Sequence, residues 1–222
     1  MGVEIDHIYI CTGKNAPQGD LLTQFGLTEG SSNVHPGQGT ANRRFFFRNV
    51  MLELLWVENP EEVRSETTSP MRLYERCMKP SHRVSPFGIG FRPTVERGED
   101  APFPSWDYRP AYLPDSLRIQ VARDISLEEP MYFYLFFAAR PDAYLGERRE
   151  PLQHKMPLKE VTSVRVHINR TEKFSETADI IGKLPGLALL PSGENLLEVE
   201  FDGGTGNRIR DFRPDLPLIF RW

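Results

Sequence analysis

Hydrophobic and polar residues alternate with a period of two at the start of the chain, over residues 3–11 (VEIDHIYIC). Such alternation in a segment rich in β-branched and aromatic residues predicts a β-strand. Residues 16–25 (APQGDLLTQF) predict a short helix that ends at Gly26. LTEGSS then predicts a brief strand, and RRFFFRN and MLELLWVE, which meet at Asn49, predict a hairpin. The N-terminal order is therefore β-α-β-β-β.

A second stretch near the C-terminus has the same order of elements. Residues 161–168 (VTSVRVHI) alternate as a strand, and residues 172–184 (EKFSETADIIGKL) carry an apolar stripe with helical spacing. LALL, NLLEVEF and LPLIFRW predict short strands, with DGGTGN as a turn. The two stretches share a pattern of elements, and their sequence identity is slight.

The middle of the chain is rich in predicted strands. They cover residues 85–93 (SPFGIGFRP), 116–124 (SLRIQVARD) and 130–139 (PMYFYLFFAA), whereas residues 94–115 are proline-rich and predicted to be irregular. A short helix is predicted over PMRLYERCM. The predicted organisation has four parts: a first βαβββ module (1–58), a connection with a central strand-rich module (59–139), a linker (140–158) and a C-terminal βαβββ-like module (159–222).

Composition and charge narrow the class of protein. Of the 222 residues 39% are apolar and 26% are charged, which is typical of a globular chain. The net charge of −4 argues against a nucleic-acid partner, which needs clustered Lys and Arg. The N-terminus lacks the basic segment of a signal peptide, and no apolar run reaches the roughly 18 residues of a membrane span.

Cysteine usage bears on the compartment. The chain has two cysteines, Cys11 and Cys77, and Cys11 falls inside an apolar strand pattern that favours a buried thiol. A disulfide framework is not expected, and a reducing compartment fits better. Together with the absence of targeting signals, this predicts a soluble cytoplasmic protein.

Three motifs in the first module carry a resemblance to a known family. IDHIYICT, HPGQGTANRRF and LELLWV occur in this order within residues 3–58, and together they resemble the glyoxalase-like subgroup of the vicinal oxygen chelate superfamily. The resemblance implies an α+β fold in which paired βαβββ modules form cupped, incomplete-barrel mixed sheets with helices outside. Whether the first module pairs with the central strands or with the C-terminal copy stays open.

The resemblance also implies candidate metal ligands. In metal-dependent members the first strand of a module supplies a His and the fourth strand a Glu, which correspond here to His7 and Glu53. These donors suit a divalent ion such as Zn, Fe, Mn or Ni, and His35 would be a third ligand if its loop folds over the mouth of the cup. The other half of a four-ligand site is not visible, because Ser163 stands where the C-terminal counterpart of His7 is expected.

Glu53 attracts interest on physical grounds alone. Alternation places it on one face of its strand with Met51 and Leu55, and a carboxylate in so apolar a strand needs a partner. A catalytic interpretation without metal makes Glu53 a general base that His7 orients. A structural interpretation makes His7 a hydrogen-bonded strand residue and Glu53 a polar substrate contact.

The loop over residues 35–42 (HPGQGTAN) is the candidate recognition loop. Its two glycines permit positive φ and a close approach of the backbone to a ligand oxygen, and His35, Thr40 and Asn42 supply donors and acceptors. Arg92, at the end of FGIGFR, is a candidate clamp for a substrate carboxylate. In the alternative interpretation, the loop residues satisfy local backbone groups and Arg92 is solvated.

These observations favour a glyoxalase-like small-molecule enzyme of lyase, isomerase or dioxygenase type, with Glu53 and His7 as catalytic residues. Two alternatives stay open: a non-catalytic protein that binds or sequesters a small molecule, and a structural copy whose cup is filled by its own side chains. The expected partner is a small-molecule ligand. No nucleic acid or membrane is expected, and a homodimer stays open.

Overall fold

The chain folds into thirteen strands and four short α-helices over the residues that the computed structural model describes, 2–94, 99–170 and 173–222. The strands are β1 (Val3–Cys11), β2 (Asn33–His35), β3 (Thr40–Phe46), β4 (Met51–Val57), β5 (Phe87–Pro93), β6 (Ser105–Tyr108), β7 (Ile119–Ala122), β8 (Met131–Tyr134), β9 (Val161–Asn169), β10 (Leu187–Ser192), β11 (Leu196–Phe201), β12 (Ile209–Asp211) and β13 (Leu218–Arg221). The helices are α1 (Gly19–Phe25), α2 (Pro60–Val63), α3 (Leu73–Met78) and α4 (Glu176–Ile181).

The larger sheet has eight strands in the order β2-β3-β4-β1-β5-β8-β7-β6 and curls into a half-barrel. β1 is parallel to β4 and antiparallel to β5, which is parallel to β8. Outward from β1 the strands are β4, β3 and β2, and outward from β5 they are β8, β7 and β6. Each half of the sheet therefore places its first strand at the centre, its last strand beside it and its second strand at the edge. The first module pairs with the central strands, and the predicted α+β fold with cupped mixed sheets is confirmed.

The smaller sheet has five strands in the order β10-β9-β11-β13-β12. β9 is parallel to β10 and antiparallel to β11, β11 is parallel to β13, and β13 is antiparallel to β12. The order and senses are those of the inner five strands of the larger sheet, β4-β1-β5-β8-β7. The C-terminal segment therefore reproduces the middle of the larger sheet, and it includes one strand, β12, that the sequence pattern did not predict.

The two faces of the larger sheet have different surroundings. Ile8 and Ile10 of β1, with Leu52 and Leu54 of β4, belong to one core that also contains apolar residues of the smaller sheet. Tyr9 of β1 alternates with the isoleucines and belongs to a second cluster on the concave face. The period of two that predicted these strands thus separates a core face from a cup face.

Several local predictions differ from the structure. The first helix begins at Gly19, three residues later than expected, although Gly26 does end it with a φ of 113°. The apolar run 130–139 is a strand only as far as Tyr134, and β6 lies inside the segment predicted to be irregular. The predicted helix 172–184 is shorter, and its first residue lies outside the described residues, as do residues 95–98 of the predicted irregular segment.

Cys11 and Cys77 form a disulfide that joins β1 to α3, with their Cα atoms 5.0 Å apart. The expectation of a buried free thiol in β1 is therefore wrong, because the connection after β4 brings α3 back against the first strand. The argument for a reducing compartment depended on free thiols and loses that support. No helix in the described ranges is long and apolar enough to cross a bilayer.

Candidate functional site

A cavity of about 350 Å³ opens on the concave face of the larger sheet. Its walls are largely apolar, with side chains such as Leu55, Met131 and Phe133. A polar cluster stands against these walls and contains four of the residues singled out from the sequence and two others: His7, His35, Asn42, Glu53, Asp6 and Gln38. A cup with room for a ligand disfavours the interpretation of a structural copy filled by its own side chains.

A β-bulge in β1 creates the centre of this cluster. Ile5 pairs with Phe91 and His7 pairs with Gly90, so Asp6 has no counterpart on β5. A bulge breaks strict alternation, and the adjacent side chains of Asp6 and His7 both line the cavity. The sequence analysis missed Asp6 because alternation assigned it to the opposite face; the one available signal was its place in the motif DHI.

Asp6 sets the orientation and the charge of His7. Nδ1 of His7 lies 2.6 Å from Oδ2 of Asp6 and donates to it, which leaves Nε2 facing Glu53 at 3.6 Å from Oε2. Burial opposes the imidazolium, but the hydrogen bond to Asp6 and the charges of Asp6 and Glu53 outweigh it and raise the pKa of His7. Burial likewise opposes ionisation of Asp6, yet His7 and Arg92 lower its pKa below the ordinary value.

Arg92 lies behind this pair and is not among the residues that line the cavity. Its side chain is 1% exposed and donates to Oε1 of Glu4 at 3.0 Å, to Oδ1 of Asp6 at 3.0 Å and to the carbonyl oxygen of Asn49 at 2.6 Å. Each side of the guanidinium is thus engaged within the protein. The predicted clamp for a substrate carboxylate does not match this position, and Arg92 holds Asp6 instead.

Glu53 has the partner that its burial demands. Its Oε1 accepts a hydrogen bond from Nδ2 of Asn42 at 2.6 Å, and the amide oxygen of Asn42 accepts from the backbone N–H of Asn33 at 2.7 Å, which fixes the orientation of the amide. Met51 and Leu55 line the cavity together with Glu53, as alternation predicted. The second carboxylate oxygen is the one turned toward His7.

The recognition loop positions side chains in the cavity wall. Thr40 is fully buried, and its hydroxyl lies 2.9 Å from Nδ1 of His35 and accepts from Nε2 of Gln38 at 2.7 Å. Tyr112 donates to Oε1 of Gln38 at 3.1 Å and its ring lies 5.1 Å from that of His35. Burial, together with the charges of Arg44 and His7, lowers the pKa of His35 against the opposing charge of Glu53, which favours a neutral imidazole.

The backbone of this loop is engaged within the protein. Gly37 and Gly39 have φ values of 80° and 77°, so the predicted positive φ is confirmed. The N–H of Gly37 donates to Oε2 of Glu62 at 2.7 Å, and the N–H of Gly39 donates to the carbonyl oxygen of His35 at 3.0 Å. These amides have internal acceptors, so the loop contributes side chains, and not a row of N–H groups, to the cavity.

The candidate ligands of a catalytic metal ion, His7, Glu53 and His35, all line the cup. Such ions usually take three protein ligands, and His7 and Glu53 supply two. Nδ1 of His35, the expected third ligand, contacts Thr40, so Nε2 is the nitrogen that a metal ion would have to use. Within the described ranges, no group of three His, Cys, Asp or Glu residues is arranged to hold an ion.

Two further parts of the wall were not found from the sequence. Phe133 of β8 packs edge-on against the ring of His7 with the centroids 5.0 Å apart. The segment predicted to be a linker contributes Tyr144 and Arg148 to the lining, and its Glu150 lies 3.5 Å from Arg44, which also lines the cavity. The segment 140–158 therefore closes one side of the cup, which no local pattern in its sequence indicates.

No protein-family model matches the sequence, and no curated protein matches it. The crystal structure of a hypothetical protein from Staphylococcus aureus is similar over 99% of this chain and 98% of its own, with a TM-score of 0.58 and 12% sequence identity. A hypothetical protein from Bacillus halodurans C-125 covers 63% of this chain and 98% of its own, with a TM-score of 0.41 and 14% identity. At 12% identity, the similarity to the staphylococcal protein shows a shared fold alone.

Proposed function

We propose that the chain is a glyoxalase-like enzyme of lyase or isomerase type that moves a proton on a small, largely apolar carbonyl compound in the cup. The observation that carries the proposal is the pair of His7 and Glu53, which face each other at 3.6 Å on the cavity wall. The imidazole is fixed from behind by Asp6, at 2.6 Å. Two acid–base groups side by side in a mostly apolar cavity are the arrangement that proton abstraction next to a carbonyl requires.

The two groups have distinct parts in the proposed reaction. Glu53 takes the proton from the carbon next to the carbonyl, while Asn42 holds the other carboxylate oxygen in place. His7, whose pKa Asp6 raises, is the imidazolium that gives a proton to the carbonyl oxygen. The substrate carbon loses one proton and the carbonyl oxygen gains one, which yields the enol. Where that carbon also bears a hydroxyl group, as in an aldehyde–thiol adduct, loss of the proton of this hydroxyl and addition of a proton to the former carbonyl carbon complete an isomerisation.

The cavity lining supports a substrate of mixed character. Leu55, Met131 and Phe133 provide an apolar surface for the body of the molecule. The side-chain amide of Gln38 donates one of its two N–H groups to Thr40, so the other can serve a second oxygen of the substrate. A volume of about 350 Å³ accommodates a small aromatic or branched carbonyl compound, including an aldehyde–thiol adduct or a keto acid.

The test uses a panel of such aldehyde–thiol adducts and keto acids in D₂O, with deuterium incorporation and isomerisation followed by NMR. Glu53→Gln is expected to reduce turnover by about 10²–10⁴-fold while ligand binding persists, because it removes the base and keeps the shape. Glu58→Gln is the matched control, since Glu58 is half exposed and pairs with Lys14 at 2.9 Å. Turnover that is equal in wild type and Glu53→Gln refutes the proposed base, and a panel with no binding member refutes the proposed substrate class.

A second candidate function is binding or sequestration without chemistry. One observation favours it: polar atoms of the cluster already have partners in the protein, as in the contacts of Glu53 with Asn42 and of Gln38 with Tyr112. A satisfied polar wall suits an apolar ligand that is held unchanged. Stoichiometric binding of a panel member that is recovered without exchange or isomerisation would establish this function over catalysis.

A further inference from the structure

We propose that a second cavity, distinct from the cup, is a binding site for a small oxyanion of the phosphate class. This cavity, the arginine pocket, has a volume of about 390 Å³. Three arginines line it, Arg72, Arg76 and Arg123, and Trp106 and Tyr132 provide aromatic surface. Guanidinium groups that converge on one space are the protein's usual means of holding phosphate oxygens.

The three arginines of the pocket differ from most other described arginines in the partners that they contact. Arg43, Arg92 and Arg213 each contact carboxylates. Within the part of the chain that the structure describes, the arginines of the pocket have no such partner, and Arg123 instead donates through Nε to the carbonyl oxygen of Ser105 at 2.7 Å. The one acidic residue of the lining is the exposed Asp124, so the pocket keeps an excess of positive charge.

Arg76 is the anchor of the argument because it is 3% exposed. Its NH1 donates to the carbonyl oxygens of Ser85 and Glu129, at 3.0 Å and 2.7 Å, while its Nε has no hydrogen-bond partner. Glu129 attracts this guanidinium but forms no ion pair with it, and a buried donor without an acceptor is costly. An oxyanion in the pocket would supply the missing acceptor.

Electrostatics and backbone geometry agree with this assignment. Burial is the largest cause that lowers the pKa of Arg76; Tyr9, Tyr132 and Glu129 act against it, and Arg72 adds to it. Arg72 and Asp124 both have positive φ, at 56° and 55°, and both line the pocket. Such conformations cost non-glycine residues about 1–3 kcal/mol and gather at ligand sites.

The arginine pocket is separate from the cup although the two share a wall. Met71 and Met131 line both cavities, and the other lining residues of the pocket do not line the cup. An anion in the pocket therefore makes no contact with His7 or Glu53. The proposed oxyanion site is therefore independent of the proposed reaction in the cup, and a negative result for one leaves the other unaffected.

The test is titration of the full chain with inorganic phosphate at constant ionic strength, with chloride as the reference anion, by calorimetry and ³¹P NMR. Arg72→Gln/Arg123→Gln is expected to weaken phosphate binding by at least about tenfold; both side chains are exposed, so folding should persist. Arg208→Gln/Arg210→Gln, next to and within β12 of the smaller sheet, is the matched control and should leave the affinity unchanged. Sulfate and acetate titrations distinguish a multivalent oxyanion from a simple carboxylate.

The outcomes are distinguishable. Saturable phosphate binding that only the pocket variant loses supports the site, and binding of a phosphate ester in competition with inorganic phosphate assigns the source of the group. Absence of saturable binding, equal loss in the control variant, or tighter binding of acetate than of phosphate overturns the proposal. Unchanged binding of cup ligands in the pocket variant keeps this result apart from the fate of the proposed enzyme.

Discussion

Arg92→Met removes a guanidinium that is 1% exposed and that holds Glu4, Asp6 and the carbonyl oxygen of Asn49. Methionine keeps most of the apolar stem, so the loss falls on the charged contacts. Each hydrogen bond to a charged group is worth about 1.5–3 kcal/mol, and removal of one partner from a buried ion pair costs about 3–5 kcal/mol. Because Glu4 is partly exposed and solvent replaces its contact, we expect a loss in the free energy of unfolding of about 3–5 kcal/mol.

Equilibrium unfolding in urea, with the disulfide intact, measures this loss. The matched control is Arg140→Met, since Arg140 also contacts two carboxylates, Asp142 at 3.0 Å and Glu160 at 2.9 Å, but is 38% exposed. Pairs of this kind contribute about 0–1 kcal/mol because solvent screens them. The two variants remove similar numbers of contacts and differ in burial.

A loss in Arg92→Met below about 1 kcal/mol, or equal to that in Arg140→Met, would refute the reasoning from burial. A double-mutant cycle with Asp6→Asn gives a second criterion. Residues in direct contact are non-additive by about 0.5–3 kcal/mol, so additive losses would show that Arg92 does not act on Asp6.

Four further predictions concern the cup and its recognition loop. Asp6→Asn should lower the pKa of His7, as measured by NMR titration of the imidazole, because it removes the charge that raises it. Because the pKa of His7 is raised in the folded state, the stabilisation from its protonated form is complete below about pH 6.5 and is lost as the pH rises through the folded-state pKa. His7→Gln should therefore reduce the free energy of unfolding more at about pH 5.5 than at about pH 9, as measured by equilibrium unfolding at the two pH values. Gly90→Ala would place a Cβ 2.7 Å from the ring of the facing phenylalanine and 3.1 Å from Cε1 of His7, so it should cost about 1–3 kcal/mol and shift the His7 resonances; unchanged spectra would contradict the packing. Gly39→Ala should cost more than Gly37→Ala in thermal unfolding: both have positive φ, but the Cβ at Gly39 would overlap backbone, whereas the Cβ at Gly37 has its nearest neighbour at 3.6 Å.

The sequence predicted the parts of the site that follow from alternation. Residues of β1 and β4 divide between core and cup with a period of two, so the facing of His7 and Glu53 followed from strand assignment. The need of Glu53 for a partner followed from the cost of a buried carboxylate. Asn42 as that partner was not predicted, although its motif had marked it as a site residue.

What the sequence did not predict depends on contacts between distant segments. The bulge at Asp6 is a property of the pairing of β1 with β5, and no residue of β1 alone indicates it. The burial of Arg92 depends on Glu4 and Asp6 arriving beside it from another strand. The disulfide of Cys11 and the cup wall from residues 140–158 likewise require the path of the chain after β4 and after β8.

A comparison of the two sheets indicates which strands the cup of the larger sheet depends on. The smaller sheet keeps the order and senses of β4-β1-β5-β8-β7 but has no counterpart of β2, β3 or β6. Its Glu198 lies 2.7 Å from His167 and accepts a hydrogen bond from Arg221, so this carboxylate has two partners within the smaller sheet. The strands that carry His7 and Glu53 thus have counterparts in the smaller sheet, whereas the flanking strands β2 and β3, which bring His35 and Asn42 to the cup, do not. A designer who wished to give the smaller sheet a ligand site would have to add such flanking strands as well as replace residues at its centre.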